Sequence, residues 1–407
     1  MKVIDGGVTA AKGFEAAGAE AAIKYQNRKD MAMVYSKVPC KAAGTFTTNV
    51  VKAAPVLWDR DIVANSEYAQ AVVVNAGIAN ACTGKQGLDY CRREAEVTGR
   101  LLGIPAEAVL VGSTGVIGMQ LPMDRIEAGI AKLVEAKSDT LEAGHTAACS
   151  IMTTDTISKE IAVSFELDGK EITVGGMSKG SGMIHPNMAT TLNFITSDCA
   201  VSSHMLQKAL SEIVKVTYNC LSVDGDTSTN DMVSLMANGL AGNEEITCEG
   251  EEFDTFKNAL YEVMANLTRM LAKDGEGASK LLECICDGAP DKDTAITVAK
   301  SVVCSSLFKA AMFGEDANWG RVLCAIGYAD AEFDINKVDV DLRSKYGTVE
   351  VCKNGSGIEF SEEKAAKVLS SDEIYIDINL NQGNENATAW GCDLTYDYVK
   401  INGDYRT

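Results

Sequence analysis

Short apolar runs bounded by small residues predict buried β-strands along this chain. Residues 70–75 form one such run before Ala76-Gly77, and residues 109–111 form another before the glycine-rich stretch 112–118. A further strand is predicted from Leu192, and residues 374–380 alternate between apolar and polar side chains. Runs of roughly four to eight residues of this kind are typical of strands. The stretch 112–118 itself is predicted to be a tight turn.

A β-hairpin is predicted between Ile161 and Val174. Two alternating segments flank Asp168-Gly169 there. This dipeptide favours the positive φ angles of a two-residue hairpin turn.

Two amphipathic helices are predicted from apolar residues at helical spacing. The first begins near Asp124, and its apolar face is formed by Ile126, Ile130, Leu133 and Val134. The second ends before Gly275, and its apolar face is formed by Phe256, Leu260, Val263, Met264, Leu267 and Leu271. Because strands and helices are interspersed throughout, the sequence predicts a layered α/β fold.

The charge balance restricts the classes of partner. The 407 residues include 37 basic and 57 acidic side chains, and the formal net charge is −20. Such a surface repels nucleic-acid phosphates and anionic membranes. The sequence has no apolar run of signal-peptide or transmembrane length, so we expect a cytoplasmic protein.

The 13 cysteines are interpreted as reduced, mostly buried thiols, since no signal peptide accompanies them. Cys284 and Cys286 are the only close pair, and no histidines accompany them at zinc spacing. We therefore expect no metal site.

The densest group of unusual residues lies between Gly175 and Leu192. Four glycines and a proline fall within its first twelve residues, and they predict a long loop that leads into a strand. Lys179 is the only charged side chain of this segment, and it could face an anion or a developing negative charge. His185 is one of three histidines, and a lone histidine is more often structural than catalytic.

This segment resembles the self-processing segment of the ornithine acetyltransferase family, also called the bifunctional glutamate N-acetyltransferase family. Similar strings occur in order along essentially the whole chain, starting at Gly6. They are residues 6–10, 112–118, 152–156, 273–278, 318–321 and 400–407. Each string alone is weak evidence, but together and in this order they are specific.

The resemblance implies two sheets packed between helices and a chain that cleaves its own Ala189–Thr190 bond. The products would be an α chain, residues 1–189, and a β chain, residues 190–407, assembled as an α2β2 heterotetramer. The new α-amino group of Thr190 has a reference pKa of about 7.7–8.0. It would act as the general base for the hydroxyl nucleophile of the same residue.

The activity implied by the resemblance is acetyl transfer from N-acetylornithine to glutamate through an ester on Thr190. The products would be ornithine and N-acetylglutamate for arginine biosynthesis. Acetyl-CoA is a candidate second donor, and neither a metal nor an organic cofactor is expected.

The resemblance also implies the roles of other site residues. The Thr114 hydroxyl and the Gly115 backbone N–H would stabilise the oxyanion, and losing one such donor typically costs about 2.7–4 kcal/mol. Lys179 is expected to pair with a substrate carboxylate and Glu276 with the ornithine ammonium. The other positions expected to line the amino-acid site are Thr153 or Thr154, Thr190, Asn402 and Thr407.

Three positions depart from the family pattern. Thr191 stands where methionine is common, so two hydroxyls are adjacent, and Thr190 is retained as the nucleophile because it follows Ala189. Ala76 and Ile78 stand where the family has more polar residues, which puts a local hydrogen-bonding role there in doubt.

A rival hypothesis is an N-terminal-nucleophile hydrolase or aminopeptidase that uses Thr190 but passes the acyl group to water. Faster consumption of acetylornithine when glutamate is added would distinguish the two. A nucleotide-binding oxidoreductase is disfavoured, since no strand leads into Gly-x-Gly-x-x-Gly with a suitably spaced acidic residue. A non-catalytic binding protein would predict an intact chain and no acetyl exchange.

Overall fold

The computed structural model describes residues 1–185 and 191–404, and the chain forms two compact units. Unit 1 comprises Met1–Gly180, Asn187–Lys215 and Thr227–Leu267. Unit 2 comprises Ser181–Pro186, Val216–Asp226 and Thr268–Thr407. The expected division into residues 1–189 and 190–407 is a covalent cut rather than a boundary between compact units. The Ala189–Thr190 bond lies outside the described residues, so that division stays a prediction.

Unit 1 is built on a mixed sheet with nine strands among the described residues. Numbered along the whole chain, they are β1 (Lys2–Ile4), β2 (Phe14–Ala19), β3 (Met31–Phe46), β4 (Ala69–Ile78), β5 (Val109–Val116), β6 (Lys159–Leu167), β7 (Lys170–Lys179), β8 (Leu192–Ser197) and β10 (Met232–Ala237). Their order is β1-β6-β7-β8-β10-β3-β4-β5, with β2 paired to β3. The pairs β8–β10 and β4–β5 are parallel, and the others are antiparallel.

Six helices of the described residues begin in unit 1, and the last two of them end in unit 2. They are α1 (Ala54–Asn65), α2 (Gly84–Leu102), α3 (Met123–Ala136), α4 (Leu141–Ser150), α5 (Ser203–Val216) and α6 (Glu251–Lys273). A 3-10 turn, Ala106–Ala108, leads into β5.

Strand β4 separates two apolar cores of unit 1. All ten of its residues are buried, and successive side chains point to opposite faces of a sheet. Val72 and Val74 therefore pack in one core, which includes Ala147 of α4. Ala71 and Val73 pack in the other, which includes apolar residues of α2 and α3. The sheet is thus covered on both faces, as a layered α/β fold requires.

Unit 2 is built on a second mixed sheet, of seven strands in the described part of the chain. They are β9 (Leu221–Ser222), β11 (Leu281–Ala289), β12 (Asp339–Ser344), β13 (Gly347–Lys353), β14 (Ser356–Gly357), β15 (Glu373–Asn379) and β16 (Glu385–Cys392), in the order β14-β13-β12-β15-β11-β16-β9. The helices of this unit are α7 (Lys292–Cys304), α8 (Ser306–Phe313), α9 (Trp319–Gly327), α10 (Glu362–Leu369) and α11 (Tyr396–Gly403), with 3-10 turns at Tyr218–Cys220 and Ile335–Lys337.

The layered α/β prediction, with two sheets packed against helices, is confirmed. The predicted strands appear as β4, β5, β8 and β15, and the predicted helices as α3 and α6. The hairpin is formed by β6 and β7, with φ of +53° at Asp168 and +69° at Gly169. These positive φ angles are the ones that Asp-Gly tolerates in a two-residue turn.

Two predicted irregular segments are strands instead. The turn expected at 112–118 is strand as far as Val116, because Gly112 lies in the core, where an added Cβ would be 3.1 Å from the Phe194 ring. The loop expected from Gly175 begins only after Lys179. A Cβ at Gly175 would be 2.1 Å from the Gly7 carbonyl oxygen, so this glycine allows close packing within β7 rather than a turn.

Across residues 1–185 and 191–404, no single helix is long and apolar enough to cross a membrane. Helices α7 and α8 pass that test only as a pair bent by 58°.

Candidate active site

The end of β7 places a buried lysine against two threonine hydroxyls. Lys179 Nζ donates hydrogen bonds to Thr114 Oγ1 at 3.1 Å and to Thr153 Oγ1 at 2.9 Å. The lysine is 8% exposed. Three residues singled out from the sequence, separated by up to 65 positions, therefore form one cluster in unit 1.

The end of β5 carries Thr114 and Gly115 in an irregular part of the sheet. Gly115 lies opposite Gly77 of β4, and the register of the pair shifts at the next residue. Its φ is +129°, and an added Cβ would be 2.2 Å from the Gly77 carbonyl carbon. Only glycine fits such a φ and such an approach of two backbones, so this glycine fixes the local path of the chain beside Thr114.

The lysine directs the two hydroxyl protons away from itself. A threonine hydroxyl has one donor hydrogen and two acceptor lone pairs. Because each oxygen accepts from the ammonium, the hydroxyl hydrogens of Thr114 and Thr153 are directed toward other acceptors. For Thr114 this is the polarity that an oxyanion donor requires.

Asp155 is a buried anion that organises the loop beside the cluster. Its Oδ1 accepts from Lys159 Nζ and from the Gly180 backbone N–H, both at 2.7 Å, and its Oδ2 accepts from the Thr153 backbone N–H at 3.0 Å. Burial alone would raise the pKa of Asp155, but the charges of Lys179 and Lys159 and these hydrogen bonds lower it to about 2. The carboxylate therefore fixes the backbone of Thr153 and that of Gly180, the residue after Lys179.

The sequence interpretation missed both members of this buried ion pair. Asp155 lies inside the string 152–156 that carried part of the resemblance, and Lys159 is fully buried at the start of β6. The available signal was their i, i+4 spacing with opposite charge, which is also common on exposed surfaces.

Thr191, the departure from the family pattern, is committed to contacts within unit 1. Its Oγ1 accepts from Asn193 Nδ2 at 2.7 Å, and the residue is 7% exposed. The other two departures, Ala76 and Ile78, are buried in β4.

A second group of expected residues lies in unit 2. Glu276 is 7% exposed, and its Oε2 accepts a hydrogen bond of 2.7 Å from Asn402 Nδ2. A Cβ at Gly182 would be 2.3 Å from the same carboxylate oxygen, and the Glu276 backbone N–H donates to the Ser181 carbonyl oxygen at 2.9 Å. The glycine-rich segment therefore packs directly on this acidic side chain.

Asp224 is an anchor in unit 2 that no sequence pattern indicated. It accepts hydrogen bonds from the backbone N–H groups of Met183 at 2.6 Å and Ile184 at 2.9 Å. Tyr398 donates its hydroxyl to the same carboxylate at 3.2 Å. Burial, together with the negative charges of Asp224 and Glu276, raises the pKa of the Tyr398 hydroxyl, so the group stays a neutral donor.

The remaining predicted site residues are Thr154, Ala189, Thr190 and Thr407. Thr154 is half-buried in the same loop as Thr153, whose hydroxyl makes the contact with Lys179. Ala189, Thr190 and Thr407 lie outside the described residues, and their roles stay predictions.

The structure also describes the surroundings of His185 and of the cysteine pair. His185 Nδ1 lies 3.1 Å from Ser222 Oγ, and burial together with the charge of Lys300 lowers the pKa of the imidazole to about 4. Cys284 and Cys286 are buried in β11. Within the ranges 1–185 and 191–404, no group of three His, Cys, Asp or Glu side chains could hold a metal ion.

A buried ammonium on two threonine hydroxyls, beside a distorted strand end of a layered α/β fold, is an arrangement suited to stabilising the oxyanion of an acyl transfer. The comparison with known families makes this specific, because the model of the ArgJ family matches residues 15–407. The chain belongs to the ArgJ family, and the resemblance stated from the sequence is confirmed.

Two named relatives are similar over nearly the whole chain, and a solved structure is similar over part of it. The arginine biosynthesis bifunctional protein ArgJ 1 of Clostridium acetobutylicum is 52% identical over 97% of this chain and 96% of its own. The arginine biosynthesis bifunctional protein ArgJ of Caldanaerobacter subterraneus subsp. tengcongensis is 50% identical over 100% of both chains. The solved ornithine acetyltransferase of Mycobacterium tuberculosis, complexed with ornithine, is 43% identical with a TM-score of 0.43, and covers 45% of this chain and 96% of that one.

Proposed function

We propose that this chain cleaves itself between Ala189 and Thr190 and then transfers an acetyl group from N-acetylornithine to glutamate through Thr190. The supporting observation is the buried Lys179 ammonium on the hydroxyls of Thr114 and Thr153, in a chain of the ArgJ family. Transfer to glutamate yields N-acetylglutamate and ornithine for arginine biosynthesis.

The oxyanion of each tetrahedral intermediate would be bound by Thr114 and Gly115. Lys179 donates to Thr114 Oγ1, which leaves the hydroxyl hydrogen directed toward the developing charge. The positive φ of Gly115 sets the direction of its N–H independently of the regular strand. Preorganised donors of this kind need no rearrangement as the charge develops.

The Lys179 charge contributes in two ways to this proposal. It lies close enough to Asp155 to lower the pKa of that carboxyl, so the loop with Thr153 is held by a charged pair. The same ammonium stabilises negative charge near Thr114, and a substrate carboxylate is a further anion that it would attract.

Glu276 would bind the side-chain ammonium that ornithine has and glutamate lacks. The carboxylate is buried, and Asn402 donates to only one of its oxygens in the contact at 2.7 Å. A buried carboxylate oriented by an amide is suited to a compact cation. Thr407, and either Thr153 or Thr154, are further proposed substrate-binding residues.

The assembly and setting belong to the same proposal. We expect an α2β2 heterotetramer of the two products in the cytoplasm, with no metal or organic cofactor. Acetyl-CoA is a candidate second acetyl donor, which the word "bifunctional" in the relatives' names supports.

The first experiment is an intact mass under denaturing conditions with N-terminal sequencing. A chain of 43.2 kDa divided after residue 189 gives fragments of about 20 and about 23 kDa by the mean residue mass. The larger fragment should begin Thr190-Thr191-Leu192. Thr190→Ala should stay uncut and inactive, whereas Thr190→Ser should retain slow cleavage because a hydroxyl remains.

The second experiment separates transfer from hydrolysis. Consumption of N-acetylornithine should increase when glutamate is added, with N-acetylglutamate formed in equal amount. Equal consumption with and without glutamate, with acetate as the product, would identify a hydrolase instead.

A further inference from the structure

Thr191, the residue after the expected nucleophile, is fixed through all of its polar groups. Its backbone N–H donates to Asp231 Oδ1 at 2.6 Å, and its carbonyl oxygen accepts from the Met232 N–H at 2.9 Å. Its hydroxyl oxygen accepts from Asn193 Nδ2 at 2.7 Å. A buried residue held in this way has a single backbone path.

That path is strained. Thr191 has φ of +85°, a region that a β-branched residue rarely occupies. The φ angle of Thr191 sets the direction in which the chain leaves β8 toward the carbonyl carbon of residue 190. Strain of this kind persists only where neighbouring groups over-determine it, and it is concentrated at functional sites.

Asp231 is the buried group that faces this strained residue. It directly precedes β10, as Thr191 directly precedes β8, and the two strands run in parallel with Met232 opposite Leu192. Asp231 is 2% exposed, and burial raises the pKa of its carboxyl to about 8, although the Thr191 N–H and the Lys179 charge act in the opposite direction. Near neutral pH, an amide is therefore a close substitute for this side chain.

Its neighbour Asn230 contacts the backbone beside Thr114, the expected oxyanion donor. Asn230 Nδ2 donates to the Ser113 carbonyl oxygen at 2.8 Å and to the Ala79 carbonyl oxygen at 2.6 Å. Ser113 directly precedes Thr114 on β5. The Thr229 hydroxyl donates to Asn230 Oδ1 at 2.7 Å and thereby orients the amide.

We propose that Asn230 and Asp231 are positioning residues for self-cleavage. From the segment just before β10, Asn230 holds the end of β5 that carries the expected oxyanion donors, and Asp231 holds Thr191, which follows the scissile bond. Asn230 fixes the approach to Thr114, and Asp231 fixes Thr191 in its left-handed conformation. The inference rests on the proposed function, since it assigns the geometry of the same Ala189–Thr190 cut.

The main test compares two buried carboxylates that accept backbone N–H groups. Asp198 follows the other end of β8, is 0% exposed, and accepts from Thr173 N at 2.8 Å and Lys12 N at 3.0 Å. We expect Asp231→Ala to slow self-cleavage by about tenfold or more, and Asp198→Ala by less than about twofold. Thermal midpoints of both variants measure the loss of stability separately. Equal rates in the two variants would overturn the proposal.

A rescue and a double-mutant cycle address positioning directly. Asp231→Asn keeps an oxygen acceptor and should recover most of the rate lost in Asp231→Ala. Glycine adopts positive φ without a penalty, so Asp231→Ala should slow cleavage less in a Thr191→Gly chain than in the wild-type chain. Additive effects in this cycle would mean that Asp231 does not act through Thr191.

Asn230 is tested by a different readout. Asn230→Ala should slow both self-cleavage and acetyl transfer by about tenfold, since both steps are expected to use the Thr114 donor. Retention of wild-type acetyl transfer by a cleaved Asn230→Ala chain would remove this residue from the proposal.

Two variants of Thr191, the donor of the hydrogen bond to Asp231, test the proposal even if Asp231→Ala does not fold. Thr191→Pro removes the N–H that Asp231 accepts and forbids φ of +85°, whereas Thr191→Gly retains both. Thr191→Pro should cleave at least about tenfold more slowly than Thr191→Gly, and equal rates would overturn the proposal.

A wild-type chain that stays uncut refutes the proposed function and this inference together. A wild-type chain that cuts, with Asp231→Ala equally fast, refutes only the inference.

Discussion

Gly115 and Gly77 lie opposite each other on parallel strands, so close that a Cβ on Gly115 would be 2.2 Å from the Gly77 carbonyl carbon. Both glycines have positive φ, +129° and +112°. The irregular end of β5, which carries the expected oxyanion donors, therefore depends on two backbones in direct contact.

The first prediction concerns this contact. Gly115→Ala should destabilise the protein by about 3 kcal/mol or more, since a methyl group meets backbone atoms that cannot rotate away. It should also reduce acetyl transfer below detection.

The matched control is Gly118→Ala, two residues after β5. Gly118 has φ of +86° with nothing within 4 Å of an added Cβ, so the cost should be about 1 kcal/mol. Urea unfolding measures both, and equal costs would contradict the packing argument.

The second prediction concerns the buried pair of Asp155 and Lys159. The pKa of Asp155 is lowered from 3.8 to about 2, so its stabilising contribution is complete above about pH 4 and is lost as pH falls toward about 2. Asp155→Asn leaves the fully buried Lys159 without its anion and should cost about 3–5 kcal/mol near neutral pH. The difference between wild type and variant in free energy of unfolding should shrink on acidification.

A surface pair provides the control for Asp155. Asp139 pairs with Lys37 at 2.8 Å, but their side chains are 63% and 46% exposed. Asp139→Asn should therefore leave the free energy of unfolding almost unchanged. If Asp155→Asn behaves like this surface variant, the loop does not depend on the buried charge.

The third prediction concerns a buried acid that the proposed reaction does not use. Glu94 on α2 is fully buried, and burial together with the charge of Asp59 raises its pKa to about 8. The folded state thus binds this proton more tightly than the unfolded state, so the free energy of unfolding should decrease as pH rises from about 4.5 to about 8. Glu94→Gln should flatten this decrease and exceed the wild type by about 1 kcal/mol or more above pH 8. Glu96→Gln, at an exposed site of the same helix, should leave the slope unchanged.

The fourth prediction concerns substrate discrimination. Glu276→Gln removes a charge that N-acetylornithine would engage and glutamate would not. The KM for N-acetylornithine should rise by about tenfold or more, with a much smaller change in the KM for glutamate. Glu363→Gln, exposed on α10, should change neither. Equal increases for both substrates would remove the ammonium role from Glu276.

The elements predicted from the sequence are those with a local cause. The Asp168-Gly169 turn requires φ angles that few dipeptides tolerate, and α6 places apolar side chains along one of its faces. The ends of β5 and β7 were mispredicted because glycine has two uses. Gly112 and Gly175 allow close packing against Phe194 and Gly7, and these partners are far away in sequence.

The site was predictable only in part for the same reason. The resemblance singled out Thr114, Thr153 and Lys179, but no spacing rule indicates that these three side chains meet. The carboxyls of Asp155, Asp224 and Asp231 were missed because a single acidic residue in a loop has no local pattern to distinguish an anchor from a solvated side chain. Their partners are backbone N–H groups of other segments, which only the folded chain shows.

Strand pairing in unit 1 has a consequence for the products of the expected cut. Strand β7 precedes the Ala189–Thr190 bond and β8 follows it, yet the two strands pair over six residues, from Lys179–Leu192 to Val174–Ser197. Strands β3 and β10 pair across the same bond, also over six residues. A cut would break one covalent bond and none of this ladder. The products would elute together in gel filtration as one particle of unchanged size, so self-cleavage here would create a new chain end without releasing a fragment.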